Sequence, residues 1–164
     1  MNHNIRIGFG HDTHRLDTGG PLRLGGIDIP FDKHSVGHSD ADVLLHAITD
    51  AILGAAALGD IGELFPDTDP ANSGKDSGEM LQTACTAVMA AGYHIMNLDC
   101  VVLAERPKLL PYRSAIQNRI ASLMKISANQ IGLKGKTGES TGPIGQSQII
   151  QAMVVCLLSF ERTM

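Results

Sequence analysis

Polar and apolar positions alternate along this chain with two different periods, and the switches between them outline a mixed fold. Residues 5–14 follow an imperfect every-second-residue pattern that predicts a strand, in which Gly8 and Gly10 permit another backbone to come close. Leu22, Leu24, Ile27 and Ile29 flank Gly25-Gly26, which predicts a hairpin over 21–30. Val43, Leu44, Ala47, Ile48, Ala51 and Ile52 then recur at helical spacing. Ser39 reads as the cap of that helix and Asp42, three residues on, as the acid of a capping box; Gly54 and Gly59 weaken the pattern at its end. Residues 60–75, rich in Gly, Pro and Asp, predict a loop and a candidate mobile lid. A second helix starts near Asp76, with Glu79 completing another box, and ends at Gly92 as a left-handed cap. Leu98, Cys100, Val102 and Ala104 share one side of a strand over 98–104. A third helix over 111–125 opens with Pro111, and 131–137 forms a short strand. The near-continuous apolar run 153–158 predicts a strand buried on both faces or at a subunit interface.

That order predicts one α/β (α+β) domain over 1–164: a mixed four-stranded sheet with helices on one face, plus an N-terminal β-hairpin. The other face of the sheet also needs cover, and for a chain of 164 residues oligomerisation through the sheet is the simple solution. Composition narrows the function classes. Hydrophobic residues at 43% and charged residues at 18% describe an ordinary globular protein. A net charge of −4, no basic block and 4% aromatic residues leave no cationic, stacking surface for nucleic acid. Cys85, Cys100 and Cys156 form no CxxC pair and read as reduced, buried thiols of a cytoplasmic protein. The start of the chain has no apolar targeting core, and the longest apolar stretches are too short to span a bilayer, so no membrane partner is expected.

Four constellations carry candidate chemistry. Asp12 and His14, two apart in a strand, point to one side, and His46 on the first helix supplies a third donor. One carboxylate with two imidazoles is the ligand set of an open zinc site; a surface turn beside a core histidine is the alternative. Asp42, His46 and Asp50 share a helix face, so a carboxylate is placed to hold the second nitrogen of His46, or else forms a solvated stripe. His38-Ser39 at the start of that helix suits a phosphate, or Ser39 acts as cap alone. The glycine-rich stretch 132–145 carries Lys136, Thr137 and Glu139, which suits a phosphate and a hard cation; a solvent-exposed loop is the alternative. It lacks the spacing of a P-loop. The run Ala104-Glu105-Arg106-Pro107-Lys108-Leu109-Leu110-Pro111 joins a strand to a helix and suits a base contact, or is a linker with solvated charges.

Taken together these stretches resemble a known family, the 2-C-methyl-D-erythritol 2,4-cyclodiphosphate synthases. The resemblance rests on Gly10-His11-Asp12-Thr13-His14-Arg15, on His38-Ser39-Asp40-Ala41-Asp42-Val43 and on the run from His46 to Ala56. Leu58-Gly59-Asp60-Ile61-Gly62, Phe65-Pro66-Asp67-Thr68-Asp69-Pro70 and Arg106-Pro107-Lys108-Leu109 continue it in order over nearly the whole chain. It implies a homotrimer with active sites between subunits. It implies cyclisation of 4-diphosphocytidyl-2-C-methyl-D-erythritol 2-phosphate to the 2,4-cyclodiphosphate with release of CMP, a step of non-mevalonate isoprenoid precursor synthesis. The implied cofactors are Zn²⁺ on Asp12, His14 and His46, and a second ion, Mg²⁺ or Mn²⁺, on Glu139. The implied substrate contacts are Asp12 and His14, with His38 and Ser39 on the methylerythritol phosphate. Asp60, Ile61 and Gly62 are assigned to the ribose, and the loop of Phe65, Pro66, Asp67, Thr68 and Asp69 to the pocket wall. The cytosine and diphosphate side falls to Ala104, Lys108, Leu109, Leu110, Lys136, Thr137, Gly138 and Glu139 of the adjacent subunit. His38 and Thr137 are the residues expected to hydrogen-bond the transition state. The chain departs from the family at Gln146, where many members carry an arginine facing the trimer axis. A neutral amide does not replace that cation for phosphate, so an axial isoprenoid-diphosphate pocket is not implied here.

Overall fold

The structure is a computed structural model and describes residues 4–66, 68–72 and 74–160. The first strand, β1 (Asn4–Thr18), is longer than its sequence pattern suggests. It is followed by the hairpin strands β2 (Leu22–Leu24) and β3 (Ile27–Ile29), then β4 (Lys33–Val36) and helix α1 (Val43–Ala56). A one-turn helix α2 (Ile61–Leu64) precedes α3 (Ser77–Ala90) and β5 (Tyr93–Leu103). Helix α4 (Arg113–Met124), β6 (Ile131–Lys136), the short α5 (Gly142–Gly145) and β7 (Ile149–Phe160) follow among the described residues.

The main sheet has five strands in the order β4-β1-β7-β5-β6, and β2-β3 form a separate ribbon. The expected count of four is therefore corrected: β4 is a four-residue edge strand, Lys-His-Ser-Val, too short and too polar to show a period. The sheet is mixed as expected, with β5 and β6 parallel and the other neighbours antiparallel. The expected hairpin pairs Leu22 with Ile29 and Leu24 with Ile27 across Gly25-Gly26, both of which have positive φ.

Helices cover one face. Leu98, Cys100 and Val102 of β5 and Ile150, Ala152, Val154, Cys156 and Leu158 of β7 point into the core against α1 and its neighbours. The alternate residues of β1 and β7 form the other face, where Ile7 is 72% and Phe9 62% exposed and Val155 is also open. Strand β7 is thus buried on one face within the chain, not on both.

Two glycines set the distance between α1 and β1. A Cβ added at Gly8 would lie 1.9 Å from the Ala51 carbonyl oxygen, and one at Gly10 would lie 1.9 Å from that of Ala47. Only glycine lets the helix settle this low on the strand. Asp12 and His14 follow Gly8 and Gly10 on the same side of β1, and His46 precedes Ala47, so the same approach brings all three together.

The start of α1 differs from expectation. Ser39 does not cap it. Ala41 sits at φ 55°, and Asp42 is the cap, with its carboxylate accepting from the N–H groups of Leu44 (3.2 Å) and Leu45 (3.1 Å). The same carboxylate, fully buried, accepts from Gly25 (2.9 Å) and Gly26 (2.7 Å) and so ties the hairpin to the helix. The α3 start follows the sequence reading, with Asp76 accepting from the Glu79 N–H and Gly92 left-handed at the far end.

Candidate active site

Asp12 Oδ2 lies 3.0 Å from His14 Nε2 and 3.0 Å from His46 Nδ1, and the two nitrogens are 3.2 Å apart. His14 Nδ1 donates to the Val36 carbonyl (3.0 Å), so in the neutral ring Nε2 presents a lone pair to this cluster. Three electron-rich atoms face one another at such distances only with positive charge between them, a proton on an imidazole or a metal ion in its place. A tetrahedral zinc ion with bonds of about 2.0–2.1 Å has ligand–ligand edges of roughly 3.3–3.4 Å, close to the observed triangle. The donors are partly exposed, at 26% for Asp12, 14% for His14 and 13% for His46, which leaves one side open to a ligand. The residues therefore fit an open divalent-metal site.

The electrostatics agree. Burial alone would raise the Asp12 carboxyl, but its hydrogen bonds and charge contacts with His14 and His46 hold it well below the usual carboxylate range. Burial opposes protonation of His14, yet the Asp12 partner outweighs it and raises its pKa. The cluster is built to hold positive charge.

The second nitrogen of His46 is not held by Asp42 or Asp50, as the helix spacing suggests. Asp42 is committed to four backbone N–H groups, and Asp50 accepts from the Ile61 N–H (2.8 Å) at the start of α2. His46 Nε2 instead meets Ser77 Oγ at 2.8 Å and Ser39 Oγ at 3.1 Å. The sequence does not show that Ser77 meets Asp40 and His46, because the contact joins the first turn of α3 to the segment before α1.

A cavity of about 580 Å³ opens beside the triad. His14, His46, His38, Ser39, Ile61, Gly62 and Phe65 line it, together with Asn72 and Met80, which sequence reasoning did not single out. Asp60 caps α2 by accepting from the Glu63 N–H (2.8 Å). Residues 60–75 are not a plain loop: the one-turn helix α2 and a 3₁₀ turn over Pro70–Asn72 interrupt it. The Gly74 N–H donates to the His38 carbonyl (3.0 Å), fastening the segment to the cavity wall. Phe65 is buried under the Lys75 ammonium, 4.7 Å from the ring centre. Pro66, Thr68 and Asp69 are exposed near this wall, and Asp67 lies outside the described residues.

A second cleft, of about 400 Å³, is lined by Ala104, Lys108, Leu109, Leu110, Lys136 and Thr137, with Arg113 and Lys134 adding positive charge. The loop after it is held from within: Glu105 accepts from the Gly138 N–H (3.0 Å), and Thr137 Oγ1 donates to Glu139 Oε1 (3.0 Å). Glu139 is exposed at φ 51°. Among the described residues the two clefts share no lining residue, His38 lying in the first and Thr137 in the second.

The YgbB family profile matches residues 5–159. The chain belongs to the YgbB family. The 2-C-methyl-D-erythritol 2,4-cyclodiphosphate synthase of Gemmatimonas aurantiaca is 51% identical over 144 residues, covering 88% of this chain and 87% of that relative. A solved 2C-methyl-D-erythritol-2,4-cyclodiphosphate synthase in its CDP-bound form superposes with a TM-score of 0.86 at 43% identity over 93% of this chain and 99% of that one. The bifunctional IspDF from Campylobacter jejuni gives a TM-score of 0.93 at 38% identity; it covers 98% of this chain, which spans 43% of that longer one. The YgbB match thus extends over both clefts and the triad of Asp12, His14 and His46.

Proposed function

We propose that this chain converts 4-diphosphocytidyl-2-C-methyl-D-erythritol 2-phosphate to 2-C-methyl-D-erythritol 2,4-cyclodiphosphate, releasing CMP, as a phosphorus–oxygen lyase of the cytoplasm. The observation that carries this reading is the triad of Asp12, His14 and His46 at the edge of a cavity sized for a small phosphorylated ligand. Family membership supports it, as does the naming of relatives at about half identity. Among the described residues no helix is long and apolar enough to cross a membrane.

Two separate clefts favour an assembly in which one subunit's triad cavity meets another's Lys136–Thr137 cleft. The exposed apolar sheet face around Ile7, Phe9 and Val155 is the surface such an assembly buries, and we assign it to a homotrimer. Each site then combines a metal and methylerythritol half with a cytidine and diphosphate half.

The chemistry joins two anions within one molecule. The 2-phosphate oxygen forms a bond to the β-phosphorus while the bond from that phosphorus to the oxygen bridging to the α-phosphate breaks; the electron pair leaves with CMP. No general base is required, because a phosphate monoester is already mostly ionised near pH 7. A zinc ion on the triad supplies Lewis-acid neutralisation of phosphoryl charge. His38 and Ser39 hold the 2-phosphate end, and Asp60, Ile61 and Gly62 take the ribose. Lys108 and Lys136 offset diphosphate charge, and Leu109 and Leu110 face the base. His38 and Thr137 donate to the phosphoryl oxygens as charge builds, and Glu139 holds a second divalent ion, Mg²⁺ or Mn²⁺. Holding the substrate folded back on itself contributes through proximity.

Phosphorus NMR of the substrate incubated with the purified protein and zinc tests the reading. A cyclic diphosphate together with CMP is expected. Open-chain phosphates would mean a metal-dependent phosphoesterase, and unchanged substrate a binding protein; either result overturns the proposal.

A further inference from the structure

Ser77 is 1% exposed at the first position of α3, and its hydroxyl touches two groups that fix its direction. The hydroxyl donates to Asp40 Oδ1, and the Ser77 N–H donates to Asp40 Oδ2 (3.1 Å). A carboxylate accepts only, so the single hydroxyl proton is spent on Asp40 and the lone pairs of Ser77 Oγ turn towards His46 Nε2 at 2.8 Å. His46 Nε2 must then donate. The carboxylate is itself held: Arg23 Nε lies 3.7 Å from Asp40 Oδ2, and the same guanidinium pairs with Asp28 (3.2 Å) and with Asp76 (3.3 Å), the cap of α3. Ser39 Oγ is 3.1 Å from the same imidazole nitrogen, but it accepts from the Ala41 N–H and sits on the cavity wall.

We propose that Ser77, backed by Asp40 and Arg23, is a positioning residue that keeps the proton of His46 on Nε2, so that Nδ1 always presents its lone pair to the metal. The relay runs from the β2–β3 ribbon through the start of α3 to the triad, so three elements distant in sequence set one ring. It rests on the metal-site reading given above, and it concerns the binding of the ion, not the fate of the substrate. Partners of this kind, one shell out from the ion, typically change metal affinity by about 10–100-fold.

The test uses the full-length protein, stripped with chelator and reloaded with zinc. In the wild type labelled with ¹⁵N-histidine, the zinc-loaded form should show a His46 Nε2–H proton shifted downfield by its hydrogen bond and slow to exchange with water. Ser77→Ala should lose that protected resonance and bind zinc about 10–100-fold more weakly in a chelator competition. A merely structural serine would lower stability without moving the imidazole signal. Asp40→Asn keeps the shape and the serine but removes the charge behind it, and should weaken zinc severalfold; it serves if Ser77→Ala does not fold. Wild-type zinc affinity in whichever variant folds, or an unchanged imidazole resonance in Ser77→Ala, overturns the relay. A protein that shows the relay but forms no cyclic diphosphate would instead overturn the proposed activity and leave the relay standing.

Discussion

Replacing Gly10 with alanine should separate His46 from Asp12 by pushing the helix off the strand. The new Cβ would lie 1.9 Å from the Ala47 carbonyl oxygen and 2.7 Å from the Ala51 nitrogen, whereas ordinary contact begins near 3.4 Å. Both atoms are backbone, so relief requires α1 to move by about 1.5 Å, the shortfall in that closest contact. Directed along the Asp12–His46 line, that shift stretches the 3.0 Å separation to about 4.5 Å. Two donors on one ion with bonds of about 2.0–2.1 Å are at most about 4.2 Å apart. Directed across the line, it stretches the separation to only about 3.4 Å but swings the ring off the ion, beyond the roughly 0.2 Å tolerance of a working site. Zinc affinity should therefore fall at least tenfold, and stability by about 1–3 kcal/mol from overpacking. Isothermal titration with zinc and urea unfolding of the stripped protein measure the two effects. Gly54→Ala on the same helix is the matched control: its Cβ meets nothing within 4 Å, and it should gain about 0.5–1 kcal/mol with zinc binding unchanged. Wild-type zinc affinity in Gly10→Ala would refute the claim that this close approach assembles the triad.

Other consequences are independent of that one. Asp42→Ala removes the acceptor shared by Gly25, Gly26, Leu44 and Leu45 and should cost about 3–5 kcal/mol in urea unfolding; a loss under about 1 kcal/mol would contradict its role as the tie between hairpin and helix. Burial pushes the Cys85 and Cys100 thiols up to about 12 and Cys156 up to about 11, so native protein at pH 8 should resist iodoacetamide and react fully once denatured; rapid native labelling would contradict that burial. The raised pKa of His14 stabilises the metal-free protein fully below about pH 6.5, and that contribution is lost as pH rises through its folded value. Zinc displaces the same proton, so the gap between zinc-loaded and chelated urea midpoints should widen from pH 6 to pH 8. A gap that narrows would place the metal elsewhere.

The chain pattern made most of this architecture legible where an element is long and one-sided. The glycines of β1, the ribbon around Gly25-Gly26 and the apolar stripe of α1 each follow from local spacing, and all three appear in the structure. What escaped depends on contacts between distant segments. Strand β4 has four residues and no hydrophobic period, so only its pairing with β1 defines it. The β5 alternation breaks at a bulge between Ile95 and Asn97, which hid the first part of that strand. Ser39 looks like a cap because an acid follows three positions on; Asp42 takes the position because the hairpin offers it two more N–H groups. In the same way the triad was readable from residue types and spacing, while Ser77 and Asp40 behind it were not. A serine that opens a helix looks the same in sequence whether or not an imidazole lies above it.

The most direct measurement is anomalous diffraction at the zinc edge from crystals of the full-length protein grown with zinc and CDP. The account predicts one strong peak per chain, bonded to Asp12 Oδ2, His14 Nε2 and His46 Nδ1, with CDP phosphate in the fourth position and its base beside Leu109 of a neighbouring subunit. A peak on other residues, or none at this triangle with zinc in excess, would contradict it.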